Sequence, residues 1–499
     1  MTRTVLGIDL GTQSLKVLFY DYEARRVAGS ASAPLALERR ADGSAEQRAE
    51  WWTAALRYAL GQVPEDVRRT AQAIGVSGQQ HGFVALDGEG AVLAPVKLWC
   101  DTSTQAQADA IEQACGGRER CIEYAGNPVL VGYTASKVRW LKEAHPELYA
   151  RLARILLPHD YLNYLLTGRT CMEYGDASGT GFFDVRRRQW SEKLLAAVDD
   201  ERDLTECLPP LEEAHALIGE TTPAAPEEWG LPAGVPVATG GGDNMMAAIG
   251  TGNVTAGRLT MSLGSSGTLF AHADRPIVDP QGEIAAFCSS TGGWLPLVCT
   301  MNCTLGTELV SALVGRSARN LDDDIAGVET GAGGLITLPF FNGERTPNLP
   351  RARGCVLGLS SHNASPAHLL RSAVEGATFA LRYGLDRLRE LGVSGHGIVL
   401  TGGGANSAVW RQIVADVCRL PVTVLEQAEG ASFGAALQAL WALEVREDSS
   451  ASIAEIAAVH LTRNDALCAE PDAATADRYA ELYAAYRQAV TQVTPLFTH

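Results

Sequence analysis

Apolar and polar positions in the first half of the chain alternate between two spacings. β-rich apolar runs predict strands at Thr4–Asp9, Lys16–Tyr20 and Ala73–Ser77. Apolar residues recur with helical spacing in four further segments, which predicts helices at Ala49–Leu60, Ser103–Ala114, Ser136–Glu143 and Asp160–Leu166. Strands that alternate with helices indicate an α/β fold built on a sheet.

The same pattern starts again near residue 235. Predicted strands follow at Val235–Thr239, Leu259–Leu263, Gly397–Leu400 and Val422–Leu425. Predicted helices follow at Asp243–Ile249, Ala367–Glu390, Ala408–Val417 and Ala431–Leu443. Leu10-Gly11-Thr12 and Leu263-Gly264-Ser265 are both strand-then-turn segments with a Leu, a Gly and a hydroxyl residue. This short internal match indicates two related halves that face one ligand.

These patterns predict three parts. The first two are an N-terminal domain over residues 1–250 and a C-terminal domain over residues 251–445, each with its own sheet. Residues 446–499 are rich in Ala and charge and are predicted to form an appended helical tail without chemistry, with a helix near Ala474–Val493.

Composition narrows the classes of partner. Hydrophobic residues make up 46% of the 499 positions and charged residues 20%, which is typical of a globular protein. The formal net charge of −17 argues against nucleic acid or an anionic membrane as a partner, but not against a nucleotide, which local backbone N–H groups can hold. The uncharged stretch Ile284–Thr307 contains Gly and Pro and is interpreted as buried pieces rather than a membrane span. Eleven scattered cysteines and the lack of an apolar signal segment after Met1 predict a cytoplasmic protein with reduced thiols.

Three glycine turns each follow a predicted strand, and each suits a phosphate. They are Gly11-Thr12-Gln13-Ser14, Gly264-Ser265-Ser266-Gly267 and Gly402-Gly403-Gly404. Gly lets the backbone approach a phosphate closely, and Ser or Thr adds donors. None of them is a Walker A loop or a Gly-x-Gly-x-x-Gly turn. Any one of them alone is more often an ordinary turn, whereas three together favour a nucleotide cleft.

Two carboxylates end predicted strands. Asp9 lies beside the first turn, and Asp243 opens a helix after the strand Val235–Thr239. Asp243 has two interpretations of similar weight: an N-cap that satisfies free helix N–H groups, or a base that accepts a hydroxyl proton during phosphoryl transfer while Asp9 holds a metal.

Polar residues beside two strands suit a polyol. Gln79-Gln80-His81-Gly82 offers adjacent donors and acceptors, although a lone His is more often structural. Trp99-Cys100-Asp101 combines an apolar wall with a carboxylate able to accept sugar hydroxyls. Lys137 and Trp140 share a helix face, and the favoured interpretation there is a solvated Lys over a packed Trp.

Taken in order over residues 3–445, the motifs resemble those of the FGGY carbohydrate kinases. They are Gly7-Ile8-Asp9-Leu10-Gly11-Thr12 with Lys16, Gly132–Leu141, Gly241-Gly242-Asp243-Asn244, Gly354-x-Val356-x-Gly358-Leu359, His368–Glu375 and Thr401–Ala405. Ala144 stands where a polar residue is usual after the second of these motifs. The agreement is highly specific because six motifs occur in the expected order.

The resemblance implies a fold and a set of roles. It implies two RNase-H-like, actin-like ATPase domains with ATP and sugar in the cleft between them. It implies Asp243 as general base, with Asp9 and Asp243 near Mg²⁺. Phosphate-facing residues would be Gly11, Thr12, Gln13, Gly264, Ser265 and Ser266, and adenosine-facing residues Gly402, Gly403, Gly404 and Asn406. Sugar-facing residues would be Gln80, His81, Asp101 and Asn244.

The implied acceptor is the ketopentose xylulose. Further segments resemble family members that act on it: Gly78–Gly82, Leu98–Asp101, Leu157–Leu162, Asp176–Thr180 and Gly343–Pro347. Gln80 replaces a common Met and Cys100 a common Asn, so ribulose, gluconate or a tetritol stays open as the acceptor, while the Gln-His pair counts against glycerol. A non-catalytic actin-like nucleotide-binding protein is a remote alternative. The expected partners are the sugar and ATP, with a homodimer left open.

Overall fold

The structure, a computed structural model, describes residues 3–427 and 430–497. Strands of the first half are β1 (Thr4–Leu10), β2 (Ser14–Asp21), β3 (Arg26–Pro34), β4 (Glu38–Arg39), β5 (Ala45–Gln47), β6 (Ala71–Gly78), β7 (Val84–Leu86), β8 (Val96–Lys97), β9 (Arg154–Leu156), β10 (Met172–Glu173), β11 (Phe183–Asp184), β12 (Gln189–Trp190), β13 (Leu211–Glu212), β14 (Leu217–Glu220), β15 (Pro236–Ala238) and β16 (Gly241–Gly242). Helices there are α1 (Ala49–Gln62), α2 (Glu65–Arg68), α3 (Gln105–Cys115), α4 (Arg118–Ala125), α5 (Thr134–Ala144), α6 (Pro146–Tyr149), α7 (Pro158–Thr167), α8 (Tyr174–Ala177), α9 (Glu192–Val198), α10 (Ala225–Glu228) and α11 (Asp243–Gly250).

The second half continues the numbering. Its strands are β17 (Gly257–Leu263), β18 (Gly267–Ala271), β19 (Leu297–Thr300), β20 (Ile336–Leu338), β21 (Cys355–Leu357), β22 (Gly395–Thr401) and β23 (Val422–Thr423). Its α-helices are α12 (Thr304–Leu313), α13 (Leu321–Ile325), α14 (Pro366–Glu390), α15 (Ala408–Cys418), α16 (Gly430–Glu447), α17 (Ile453–His460) and α18 (Ala473–Val493). A 3₁₀ turn covers Gly403–Asn406.

Two sheets repeat one strand order. The first runs β3-β2-β1-β6-β15-β14 and the second β19-β18-β17-β22-β23. In the first sheet, β1 forms an antiparallel hairpin with β2 and pairs in parallel with β6. In the second sheet, β17 forms an antiparallel hairpin with β18 and pairs in parallel with β22. This confirms the predicted actin-like fold of two α/β units, and the Leu-Gly match indicated by the sequence falls on the two equivalent hairpin turns.

Most predicted elements lie within a few residues of the observed ones, but the sequence patterns did not predict several others, among them the edge strand β3, the hairpin strand β18 and the helices α4, α9 and α17. β3 reads Arg-Val-Ala-Gly-Ser-Ala-Ser-Ala-Pro and is largely exposed at the sheet edge. An edge strand made of small residues has no apolar alternation to detect. In the stretch Ile284–Thr307, β19 and the start of α12 account for the regular structure. Within the described residues, no helix is long and apolar enough to cross a bilayer.

Helices α11 and α16 join the two halves. Their buried side chains form one cluster with residues from both sheets, including Tyr20 and Phe270. A Cβ at Gly434 of α16 would overlap the Met246 carbonyl of α11, and a Cβ at Gly250 would overlap Gly430. Glycine is required at these positions because the two backbones touch.

The segment after Arg446 is helical, as predicted for its last part, and it packs against the rest of the chain. α17 contributes Ile453 and Ile456 to the cluster around α16. Tyr479 and Tyr486 of α18 are buried against Phe379 in the core of the second half. Of the α18 alanines, Ala476 and Ala489 are buried on this side, and the others are exposed.

Candidate active site

The predicted phosphate and sugar segments lie at equivalent edges of the two sheets. Leu10 pairs with Gly78, so the segment Gln79–Gly82 follows β6 beside the first hairpin turn. Ser262 pairs with Thr401, so Gly402–Asn406 follows β22 beside the second. Each half therefore places one hairpin turn and the end of one parallel strand side by side at the same edge of its sheet.

The first turn is tied to the sugar segment. The Gly11 N–H donates to the Ser14 carbonyl over 3.0 Å. Thr12 Oγ1 donates to Gln79 Oε1 over 2.9 Å and accepts from Trp99 Nε1 over 3.0 Å. These bonds fix the Thr12 hydroxyl between two predicted sugar segments.

The second turn and the Gly402 loop are also held by hydrogen bonds. The Gly264 carbonyl accepts from the N–H of Thr304 over 2.9 Å, at the start of α12. Arg411 Nη1 donates to the carbonyls of Ala405 and Asn406 over 2.8 and 3.0 Å. Gly402 has φ +84°, which favours glycine. Ser265, Gly403 and Asn406 are exposed and accessible to a nucleotide.

Asp243 is the first residue of α11, and Gly242 occupies the N-cap position. Its Oδ1 accepts from the N–H and the side-chain amide of Asn244 over 2.7 and 2.9 Å. Burial, with the negative charges of Asp9 and Asp176, raises the pKa of Asp243 to about 7. Gly242 holds the N-cap position, yet the Asp243 carboxylate accepts the Asn244 N–H of the first turn, so part of the N-cap interpretation holds. The base interpretation keeps its chemistry, because a carboxylate with a pKa near 7 accepts protons well.

Asp9 lies at the end of β1, and its Oδ1 accepts from Ser77 Oγ over 2.8 Å. Its negative charge is one of the causes of the raised pKa of Asp243. Two carboxylates that repel each other in a cleft form an arrangement that a divalent cation stabilises.

A hydrogen-bonded chain runs from Asp243 into the core. Asn244 Nδ2 donates to Gln80 Oε1 over 3.0 Å. Gln80 Nε2 faces Asp176 Oδ1 at 3.5 Å and the Met245 sulfur at 3.4 Å. The structure thus brings Gln80, Asn244 and Asp243 together, with both ends of the Gln80 amide engaged by protein groups.

His81 adopts a left-handed conformation with φ +66°, which is uncommon for a residue with a Cβ. Its ring packs against Tyr133 and Phe287, with centroids 4.8 and 5.9 Å apart. Within the described part of the chain, its buried Nδ1 has no hydrogen-bond partner. Burial, reinforced by the charges of Lys137 and Arg345, holds the pKa of His81 well below its ordinary value, so the imidazole is neutral. A strained, neutral His with an unused polar atom suits a ligand contact.

Lys137 is fully buried, so the prediction of a solvated Lys was wrong. Its ammonium donates to the carbonyls of His81 and Gly132, both over 2.7 Å. The cation that packs over the Trp140 ring is instead Lys97, whose Nζ lies 4.2 Å from the ring centroid. Lys137 and Trp140 do lie on one helix, as their spacing predicted. Burial of the lysine, however, depends on the loop at His81, which is distant in sequence.

Asp101 is fully buried and already has four partners. Its Oδ2 accepts from the Ala45 N–H over 2.9 Å and from Lys97 over 3.1 Å. Its Oδ1 accepts from the N–H and hydroxyl of Ser103 over 3.0 and 2.6 Å. A carboxylate has about four acceptor positions. A sugar contact by Asp101 stays a prediction that this arrangement does not favour.

A buried ionic cluster beneath the site was not identified as a unit from the sequence. His159 Nδ1 lies 2.7 Å from Asp176 Oδ2, and its Nε2 lies 3.0 Å from Asp160 Oδ1. Burial alone lowers the pKa of His159, but the two carboxylates outweigh it and raise the pKa to about 9. The segments Leu157–Leu162 and Asp176–Thr180 were the available signal, because they carry paired acids near a His.

The fold and the motifs together indicate a protein family, and comparison with family models shows which family it is. Residues 4–250 match the N-terminal domain and residues 259–443 the C-terminal domain of the FGGY family of carbohydrate kinases. The chain belongs to this family, and ATP is the phosphoryl donor that a kinase of this family implies.

Individual relatives show which members of the family the chain resembles. The chain is 43% identical over 444 residues to the xylulose kinase of Haemophilus influenzae, covering 88% of this chain and 90% of that protein. A xyloylose kinase from Brucella ovis shares the fold with a TM-score of 0.90 and 32% identity, covering 99% of this chain and 100% of that one. Gluconate kinase from Lactobacillus acidophilus also has a TM-score of 0.90, covering 100% of this chain and 99% of that one, but at 20% identity it shows the fold alone. The predicted resemblance is confirmed, and the non-catalytic alternative is set aside.

Proposed function

We propose that the chain transfers the γ-phosphoryl group of ATP to the terminal hydroxyl of D-xylulose. Asp243 accepts the proton of that hydroxyl, a bond forms between the sugar oxygen and the γ-phosphorus, and the bond from that phosphorus to the β,γ-bridging oxygen breaks. The products are D-xylulose 5-phosphate and ADP. The observation that carries this proposal is Asp243 itself, raised in pKa to about 7 beside the Gln80–Asn244 pair.

Sugar and nucleotide would bind to opposite halves. Gln80 and Asn244 would orient the sugar because they lie together beside Asp243, and His81, next to Gln80 in the chain, would add a further contact. Gly11, Thr12 and Gln13 would approach the phosphates from the first half, and Gly264, Ser265 and Ser266 from the second. Gly402, Gly403, Gly404 and Asn406 would hold the adenosine part. Closure of the cleft would exclude water and align the sugar oxygen with the γ-phosphorus.

The residues present fit Mg²⁺. Asp9 and Asp243 are the acidic pair in the cleft, and their repulsion is what a bound cation relieves. Mg²⁺ commonly takes one or two carboxylates plus substrate phosphates, directly or through water. When bound, it would neutralise charge on the phosphates.

Other small sugars and polyols compete with D-xylulose as the acceptor. Gln80 and Cys100 depart from the expected residues, which favours a test of ribulose, gluconate and a tetritol beside xylulose. An ADP-release assay with ATP, Mg²⁺ and these acceptors measures kcat/KM for each. We expect D-xylulose to exceed the others by tenfold or more, about 1.4 kcal/mol. A higher kcat/KM for another acceptor would reassign the substrate.

Asp243→Asn tests the base. We expect kcat to fall about 10²–10⁴-fold, the usual contribution of a positioned base, while the Kd for ATP changes little. Asp109→Asn is a matched control, since Asp109 lies exposed on α3. Retained turnover in Asp243→Asn would contradict the mechanism.

A further inference from the structure

Arg345 belongs to the second half but reaches the sugar-facing residues of the first. It lies between β20 and β21. The carbon of its guanidinium is 6.0 Å from the centroid of the Trp99 ring. Its Nη2 is so close to Gly132 that a Cβ on that glycine would lie 3.0 Å away. A single side chain therefore carries positive charge across the cleft.

The backbone of this arginine is anchored. Its N–H donates to Glu344 Oε1 over 2.9 Å, and Glu344 is buried. The same oxygen accepts from the Met301 N–H over 2.6 Å, and Asn302 donates to the other Glu344 oxygen over 3.4 Å. Glu344 thus fixes the start of the side chain to the segment between β19 and α12.

The guanidinium itself is only partly exposed, and among residues 3–427 and 430–497 no carboxylate forms an ion pair with it within 4.0 Å. Its charge acts on groups nearby. After burial, Lys137 and Arg345 are the causes that lower the pKa of His81. The nearest negative charge, that of Glu344, lies beyond ion-pair distance, so an anionic ligand would stabilise this half-buried cation further.

The position lies between the phosphate turn and the base. Trp99, under the guanidinium, donates to the Thr12 hydroxyl over 3.0 Å. On the other side, burial raises the pKa of the Cys299 thiol, the Arg345 charge opposes this rise, and the Asp243 charge adds to it. Arg345 and Asp243 are therefore both close to Cys299. A phosphoryl group moving from ATP to a sugar hydroxyl activated by Asp243 has to cross this region.

We propose that Arg345 is a catalytic residue whose guanidinium binds the non-bridging oxygens of the phosphoryl group during transfer. This rests on the proposed kinase reaction. A planar fork with five N–H donors suits these oxygens, which share the charge in the transition state. Because Arg345 comes from the second half, the contact is completed when the two halves close on the substrates. A neutral sugar offers no counter-charge to such a group.

Arg345→Met and Arg345→Lys test the proposal, with Arg353→Met as matched control. Arg353 lies exposed in the same segment, and within the described part of the chain it donates only to the nearby carbonyls of Arg351 and Ala352. We expect Arg345→Met to lower kcat at least about 100-fold, with the KM values for sugar and ATP within about threefold. Arg345→Lys keeps the charge but not the fork and should recover about tenfold of the loss. Arg353→Met should behave as wild type.

A second measurement uses no sugar. Calorimetry compares the Kd of Mg-ADP with that of Mg-ADP plus aluminium fluoride, a mimic of the transferring phosphoryl group. In Arg345→Met we expect the aluminium fluoride complex to bind at least about tenfold more weakly and ADP alone to bind within about twofold of wild type.

The outcomes separate the alternatives. A raised KM for the sugar with unchanged kcat would assign Arg345 to sugar hydroxyls and overturn the proposal. So would a gluconate preference that disappears in Arg345→Met, which would indicate a sugar carboxylate as its ligand. Equal weakening of both ADP complexes would show a structural role only. A wild-type chain inactive on D-xylulose would overturn the proposed substrate, while the aluminium fluoride result would still decide the role of Arg345.

Discussion

Asn244 donates a side-chain hydrogen bond to Gln80 Oε1 over 3.0 Å, which ties the end of β6 to the start of the helix that carries Asp243. Asn244 donates to Asp243 Oδ1 through the same amide, so the orientation of the carboxylate depends on where Gln80 holds this side chain. The pair is a positioning device, whichever sugar is the acceptor.

Gln80→Met should lower kcat/KM for the accepted sugar about five- to tenfold. A buried hydrogen bond contributes about 0.5–1.5 kcal/mol, and Met offers no oxygen to Asn244. Steady-state kinetics on the acceptor panel measure the loss. Gln80→Glu keeps an oxygen for Asn244 but places a second carboxylate near Asp176, 3.5 Å from the present amide nitrogen, and should lose more. A Gln80→Glu variant as active as wild type would contradict this account.

Gly179→Ala should displace His81, because a Cβ at position 179 would overlap the imidazole ring. If His81 contacts the sugar, the KM for the sugar should rise at least about tenfold while the KM for ATP changes little. Gly88→Ala is the matched control, since a Cβ there meets nothing within 4 Å. Equal effects of the two substitutions on the sugar KM would exclude His81 from the sugar site.

Lys137→Met should release the loop that Lys137 fixes. Two hydrogen bonds of 2.7 Å to the carbonyls of His81 and Gly132 would be lost. Burial lowers the pKa of Lys137 to about 7, so each bond contributes about 0.5–1.5 kcal/mol when the amine is neutral and about 1.5–3 kcal/mol when it is charged. We expect a lower Tm by thermal unfolding and a raised sugar KM. Lys142→Met, on the same helix, breaks partly exposed pairs with Asp199 and Glu201 and should leave the sugar KM unchanged.

The pH profile should follow Asp243. Its pKa of about 7 means that kcat/KM should fall tenfold per pH unit below that value, since the protonated carboxyl cannot accept a proton. Asp176→Asn removes one of the charges that raise this pKa, so the acid limb should move to lower pH. An unmoved limb in Asp176→Asn, with the protein folded, would show that Asp243 does not set it.

The same shift predicts an effect on stability. A carboxyl whose pKa is raised on folding stabilises the folded state at low pH, and this stabilisation is lost as pH rises through about 7. Without Mg²⁺, Asp243→Asn should therefore have a higher Tm than wild type at pH 8, and this difference should be much smaller at pH 4, close to the ordinary pKa of the carboxyl. Differential scanning calorimetry at the two pH values checks this, and a lower Tm at pH 8 would contradict it.

Sequence patterns predicted the parts of the fold that depend on local spacing. Strand β1, the turn at Gly11 and helix α15 were each predicted within a few residues, because apolar periodicity and glycine are read locally. The nearness of Asp243 to Gln80 was implied only by the family resemblance; in the structure it arises because β16 pairs with β6 in one sheet.

Features that depend on distant partners could not be predicted. Lys137 is buried because the carbonyls of His81 and Gly132 converge on it, and nothing in its own helix indicates this. Asp101 looks available in sequence, yet the N–H of Ala45, 56 positions away, completes its set of donors together with the nearby Lys97 and Ser103. The charge of Arg345 reaches Trp99 only because the two halves fold against each other.

Helix α11 starts with Asp243 and ends at Gly250, where its backbone touches α16. Asp243, the proposed base, is therefore the first residue of the same short helix whose last residue packs against α16 at the joint between the halves. Selection for heat resistance that repacks this joint should alter turnover as well. Laboratory evolution would then find few substitutions near Gly250 or Gly434 that improve one property and leave the other unchanged.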